Sequence, residues 1–163
     1  MRSKFSLNII GPIVCFFVLL FAMIFCAFAF HSAGIEPKFI FVVDLLPLAI
    51  LAWIFFGEFR TKMTIVALGY DYLIVVTYCG AGDPQKIPYR EFDGYETSFV
   101  SAFNKDYEHL YLIKDGRKIG KLTEFYHSNY AEMKAEIDTK LKYLGPVEFN
   151  YWDEIRESFS RQA

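Results

Sequence analysis

Residues 9–30 read IIGPIVCFFVLLFAMIFCAFAF, an apolar run of 22 residues without a charged, amide or hydroxyl side chain. At roughly 1.5 Å rise per residue such a helix is about 33 Å long, enough to cross a hydrocarbon core of about 30 Å. Residues 39–57, FIFVVDLLPLAILAWIFFG, form a second run of 19 with a single charge, Asp44. Only HSAGIEPK (31–38) lies between them, so the pair predicts a transmembrane helical hairpin over residues 1–58. A cleaved secretory signal is the rival reading, because Arg2 and Lys4 make a basic start and Ala27-Phe28-Ala29 resembles a cleavage site. The run exceeds the roughly 7–15 residues of a signal core, and a second apolar run follows, so the hairpin is expected to stay uncleaved.

Basic residues in the short flanks set the expected orientation. Arg2 and Lys4 precede the first run, and Arg60 and Lys62 follow the second, whereas the connecting loop carries Lys38 beside Glu36. The positive-inside rule then places both termini in the cytoplasm. In that reducing compartment Cys15, Cys26 and Cys79 are expected to be free thiols.

The remainder of the chain bears fourteen Lys/Arg against seventeen Asp/Glu over 58–163, a net charge of −3. A nucleic-acid binder needs a basic face to displace counterions, and so does a binder of anionic lipid headgroups. Neither partner is expected; the densest cations, Lys114, Arg117, Lys118 and Lys121, flank a turn and are diluted by Asp115 and Glu124.

Periodicity places the soluble elements at 59–145. TKMTIVAL (61–68) and YLIVVTYC (72–79) read as a hairpin, GAGDPQK (80–86) as a loop, and IPYREF (87–92) as extended chain after Pro88. GYETSFVSAF (94–103) places Tyr95, Thr97, Phe99, Ser101 and Phe103 on one parity, which predicts a strand with an aromatic face. HLYLIK (109–114) and RKIGKLTEF (117–125) are joined by Asp115-Gly116, the signature of a type I′ turn with positive φ at both positions. Ser128 or Asn129 can cap a helix over 129–144, with Tyr130, Met133, Ile137, Leu141 and Leu144 on one face and Gly145-Pro146 as its stop. These elements predict an α+β domain, an antiparallel sheet of about five strands under one amphipathic helix. Tyr95, Phe99, Phe103, Tyr111 and Phe125 are its expected core aromatics. The tail, 146–163, spaces Trp152, Ile155 and Phe159 by three and four residues, an amphipathic segment with an acidic polar face better suited to protein than to lipid.

This order of elements resembles bacterial membrane proteins with a pleckstrin-homology-like (PH-like) domain, most closely the YcxB-like group, whose domain follows a two-span hairpin. The residues that carry the resemblance are IPYREFDGYE (87–96), LYLIKDGRKIGKLTEFYHSNYAEMKAEI (110–137) and the hairpin before them. In that group the first segment enters the third strand. The last strand passes to the capping helix through a junction here formed by Phe125, Tyr126, Ser128, Asn129 and Tyr130. The resemblance implies a PH-like sheet or partial barrel capped by one C-terminal helix, held at a bacterial inner membrane as a non-catalytic interaction module.

Residue by residue, catalysis finds little support. Ser101, Ser128 and Ser158 have no matched histidine and carboxylate pattern, and His109 and His127 lack the neighbours of a metal site, so no enzyme activity, cofactor or metal is expected. Asp44 is open to two readings. It is an intramembrane ion or proton relay, or a contact to another span, or it sits close enough to the outer headgroups to be solvated; Pro47 would kink the helix beside it. Three functions compete: an anchored module that binds a protein partner, through Trp152, Ile155 and Phe159 among others; an immunity or inhibitor protein against a membrane-active toxin; and an accessory subunit of a transporter that uses Asp44.

Overall fold

The computed structural model describes residues 1–34, 37–102, 104–150, 152–153 and 156. Helix α1 (Ile10–Ser32) follows a short 3-10 turn at Leu7–Ile9. It is the one helix among the described residues long and apolar enough to cross a membrane, and the apolar window that qualifies it is not buried in the protein. Phe17, Val18, Phe21, Phe25 and Phe28 all stand exposed along it. Water penalises a stripe of that size, whereas hydrocarbon does not. Helix α2 (Pro37–Trp53) carries Pro47 in its interior and lies against α1. Beyond Trp53 the chain winds more loosely, as a π-helical stretch over Ile54–Lys62 that closes with Met63 N–H donating to Glu58 O at 3.0 Å. Phe16 of α1 meets Phe55 and Phe59 of this stretch at 6.3 and 5.5 Å between ring centroids.

Two sheets follow. β1 (Ile65–Leu68), β2 (Tyr72–Val76) and β3 (Gln85–Pro88) form an antiparallel meander. β4 (Gly94–Ala102), β5 (Lys105–Lys114), β6 (Arg117–Thr123) and β7 (Tyr143–Pro146) form the second, in the order β6-β5-β4-β7. Inward residues of both sheets, Val66, Leu68, Leu73, Val75, Leu110, Leu112 and Leu122, join Tyr130, Met133 and Ile137 of helix α3 (Tyr130–Asp138) in one core. Each such side chain removed from water contributes roughly 1.5–3 kcal/mol. The Asp115-Gly116 turn has φ values of 51° and 68°, as its sequence demands.

Several expectations are corrected. Among the described residues there are two sheets rather than one of about five strands, and the second is mixed, because β7 runs parallel to β4. Helix α3 ends at Asp138 rather than 144; Leu141 still reaches the core, but Tyr143–Pro146 leave the helix to hydrogen-bond β4, so Gly145-Pro146 lie in a strand. The IPY segment ends the third strand at Pro88 and turns at Tyr89–Glu91. Pro88 is tolerated because β3 is an edge strand. Tyr95 and Tyr111 are buried, yet Phe99 is 61% exposed, since the far end of the β4–β5 ladder extends past the core; Phe103 lies outside the described residues.

Residues 2–6, just ahead of α1, are woven into the soluble part. Ser3 N–H donates to Val66 O at 2.8 Å and its hydroxyl accepts from Val66 N–H at 3.0 Å. Ser6 N–H donates to Tyr126 O at 2.8 Å, and the Ser6 hydroxyl and Asn8 amide both donate to Phe125 O at 2.8 Å. Asn129 stands at the N-cap of α3, but its side chain makes no capping hydrogen bond. Asn129 is spent on this strap instead: its Oδ1 accepts from Lys4 N–H at 2.7 Å and its Nδ2 donates to Arg2 O at 3.0 Å. Ser128 donates its backbone N–H to Lys4 O at 2.9 Å. The junction 125–129 is therefore a clasp that fastens the leading segment of α1 to the sheets.

Candidate functional site

Leu110 and Leu112 face the core, and strand alternation puts Glu108 on the same side. It cannot be buried bare, so α3 supplies Lys134, whose ammonium donates to both Glu108 oxygens at 2.6 and 2.9 Å. Around this pair opens a groove of about 740 Å³ between α3 and the ends of β4, β5 and β6. The helix lines it with Ala131 and Ala135 beside Tyr130, Lys134 and Asp138, and Ser128 lines it just ahead of the helix. Glu124, Asp138 and Tyr95 complete the polar rim.

Glu124 accepts from Lys105 Nζ at 2.9 Å and from Glu108 N–H at 3.3 Å, and the lysine holds its carboxyl below the usual range. The Tyr95 hydroxyl donates to Asp138 at 2.6 Å; burial first, then that carboxylate, pushes its ionisation up. Tyr130 is raised in the same way, by burial and then by the Glu108 charge, although its hydroxyl makes no hydrogen bond of ordinary geometry. All the phenols of the groove are thus neutral, and its formal charge comes from three carboxylates and one ammonium, a net of −2. The arrangement offers charge and hydrogen bonds to a cation. Among the described residues no group of three or more His, Cys, Asp or Glu could hold a metal ion.

Sequence reasoning passed over this groove. The signal was present in the parity of Glu108 with Leu110 and Leu112, a charge on an inward face. Of the residues singled out from the sequence, Pro47 lies inside α2, the side chain of Asp44 lies outside the described residues, and Trp152 is 75% exposed. Ile155 and Phe159 also fall outside the described residues. Neither Pro47 nor Trp152 lines the groove.

Two buried histidines lie close by. His127 Nε2 is 2.8 Å from Thr64 O, which can only accept, so the proton sits on Nε2. Nδ1 then accepts from Thr123 N–H at 3.1 Å. Burial lowers the basicity of this ring, and burial followed by the charges of Lys121, Lys62 and Lys118 lowers that of His109 to about 2. Unfolded histidine takes a proton near 6.5, so below that pH the unfolded chain binds protons that the folded chain refuses. The stabilisation is complete above about pH 6.5 and is lost as the pH falls toward the folded value. For His109 alone, at about 1.4 kcal/mol per unit, moving from pH 7.5 to 5.0 lowers unfolding free energy by about 2 kcal/mol. Urea titration of the full chain in detergent at the two pH values reads this loss, and His109→Gln reduces it, leaving the part due to His127; equal midpoints in the native chain would refute the assignment.

No protein-family model, curated protein or solved structure matches this chain.

Proposed function

We propose that the chain is a membrane-anchored, non-catalytic PH-like module whose groove beside α3 docks a basic segment of a protein partner at the cytoplasmic face. One observation carries the reading: an open groove beside Ala131 and Ala135 carries Glu108, Glu124 and Asp138, with Lys134 the one lysine or arginine among the described residues that line it. An extended Lys- or Arg-rich segment suits such a trough in shape and charge. Two packed sheets whose last long hairpin leads into a helix support the PH-like description, although the parallel β7 and the clasped strap are additions to it.

The strap also supports a second membrane crossing. Residues 2–6 and the sheets are hydrogen-bonded to each other, so they lie on one side of any bilayer that α1 crosses. The chain must then return between Ser32 and Ile65, and α2, packed on α1, is the segment that can bring it back.

The test uses the full chain in nanodiscs and two labelled peptides of equal length, one Lys/Arg-rich and one Asp/Glu-rich. The basic peptide binds preferentially, more weakly at high salt, and Glu124→Gln with Asp138→Asn weakens it about tenfold, or about 1.4 kcal/mol. Equal affinity for both peptides, or no effect of the double substitution, would remove the groove from the account.

A further inference from the structure

The connection between β2 and β3 lies at the end of the sheets that the helices enter. β1 begins at Ile65, just after the π-helical stretch, and runs away from it to the turn at 69–71. β2 pairs antiparallel with β1 and brings the chain back, so the loop after Val76 returns to the helical end. Cys79 N–H donates to Met63 O at 2.8 Å and fixes the loop there. The Tyr78 ring then lies 5.2 Å from that of Phe55, and Phe55 lies 6.3 Å from Phe16 of α1. One ring thus separates a loop of the soluble sheet from the apolar run of the first helix. Phe16 stands about 10 Å along α1 from Ile9, where that run starts. Its side chain leans back toward the helix N-terminus, which brings the three rings closer to the boundary of the run.

Two features of residues 77–82 set them apart from an ordinary surface loop. Thr77, Tyr78, Cys79, Gly80, Ala81 and Gly82 carry no charge. Their backbone donors are also satisfied inside the protein. Beside the Cys79 bond, Gly80 N–H donates to Thr77 O at 3.0 Å, Ala81 N–H to Tyr78 O at 3.0 Å and Gly82 N–H to Thr77 O at 3.1 Å. Four successive amides therefore need no water. The backbone reaches this closure through three consecutive left-handed residues, with φ of 53° at Tyr78, 57° at Cys79 and 96° at Gly80. Two of them are not glycine, so the loop holds strain that a connection open to water has no need to carry. A backbone that approaches lipid does need the closure, because hydrocarbon leaves every unpaired N–H unsatisfied.

The geometry points to a membrane contact: loop 77–82 rests in the interfacial layer of the bilayer that α1 crosses, with the Tyr78 ring on Phe55 and its hydroxyl among the glycerol and headgroup oxygens. Tyrosine suits that depth, being apolar over the ring and polar at the tip. The partner is the lipid boundary rather than any one headgroup, since the loop offers no charge to select one. The contact rests on the reading of α1 as a membrane span and is independent of the groove beside α3. It holds the sheets at a fixed height, with the β1–β2 turn at the far end.

The experiment places one tryptophan at a time in the full chain in nanodiscs, with Trp53 and Trp152 replaced by phenylalanine. Ala81→Trp, at an exposed position, reports on the loop with Tyr78 intact. Phe21→Trp reports on α1, and Tyr70→Trp on the far turn, where the side chain is 90% exposed. The quenchers are lipid with a nitroxide at the top of the acyl chain, lipid with a nitroxide near the chain end, and aqueous acrylamide. Ala81→Trp is expected to be quenched about twofold more strongly by the shallow nitroxide than by the deep one. Phe21→Trp is quenched more by the deep nitroxide, and Tyr70→Trp by acrylamide alone. Exchanging zwitterionic for anionic lipid leaves the loop reading unchanged, and adding Tyr78→Ser shifts it toward acrylamide. Acrylamide quenching alone at Ala81→Trp, with Phe21→Trp still quenched by the deep nitroxide, would overturn the contact and leave the anchor standing. Phe21→Trp quenched by acrylamide alone would overturn the span on which the contact rests. A loop reading that requires anionic lipid, or that ignores Tyr78→Ser, would overturn the uncharged tyrosine seat.

Discussion

Replacing His127 by alanine lowers the unfolding free energy by about 3–5 kcal/mol, among the largest losses expected from one side chain in this chain. The ring is 1% exposed and joins three segments that are distant in sequence. Nε2 donates to Thr64 O ahead of β1, Nδ1 accepts from Thr123 N–H at the end of β6, and the face lies 5.4 Å from the Phe5 ring of the strap. Alanine leaves a carbonyl and an amide buried without partners, each costing about 1–3 kcal/mol, and opens a void between strap and sheet. Chaotrope unfolding of the full chain in detergent reads the loss. Tyr70→Ala, at a side chain 90% exposed, is the control and shifts stability by less than about 0.5 kcal/mol. Equal effects for the two variants would mean that His127 does not hold the clasp.

The clasp also marks the limit of what the sequence discloses. The apolar run of α1, the Asp115-Gly116 turn and the inward stripe Tyr130, Met133, Ile137 are legible because each is a local pattern: a length, a φ requirement, a period. Ser128 and Asn129 also present a local pattern, that of a helix cap; it locates the helix start at Asn129 but not the partners of the side chain. Their hydrogen bonds go to Lys4 and Arg2, more than 120 positions away in the chain. A side chain that can satisfy a nearby N–H can satisfy a remote one equally well, and only the fold decides between them. The groove was hidden for a related reason. Glu108 shows its inward parity, but its partner Lys134 lies 26 residues on, across a turn and a helix start. Phe99 fails in the opposite direction: alternation assigns it a face but not how far the core extends beneath that face.

Gly94→Ala tests the element that the sequence concealed most completely. Gly94 has φ of 152°, and a Cβ there would stand 2.2 Å from the Lys142 carbonyl oxygen and 2.9 Å from Leu144 Cγ. The obstacle is backbone, so it cannot turn aside as a side chain would. The Lys142 carbonyl is also the acceptor for Tyr95 N–H at 2.9 Å, the bond that opens the parallel β4–β7 pairing. An alanine must therefore push β7 off β4 and strain its own backbone, at a cost of at least about 3 kcal/mol. Thr97 then loses the Tyr143 hydroxyl at 3.0 Å, and the Tyr95–Tyr143 ring contact at 5.1 Å opens. Gly116→Ala provides the comparison: φ is 68°, but a Cβ there meets nothing within 4 Å, so it costs only about 1 kcal/mol. Limited trypsin digestion separates the two, with Lys140 and Lys142 cut much faster in Gly94→Ala and unchanged in Gly116→Ala; equal rates would refute the pairing.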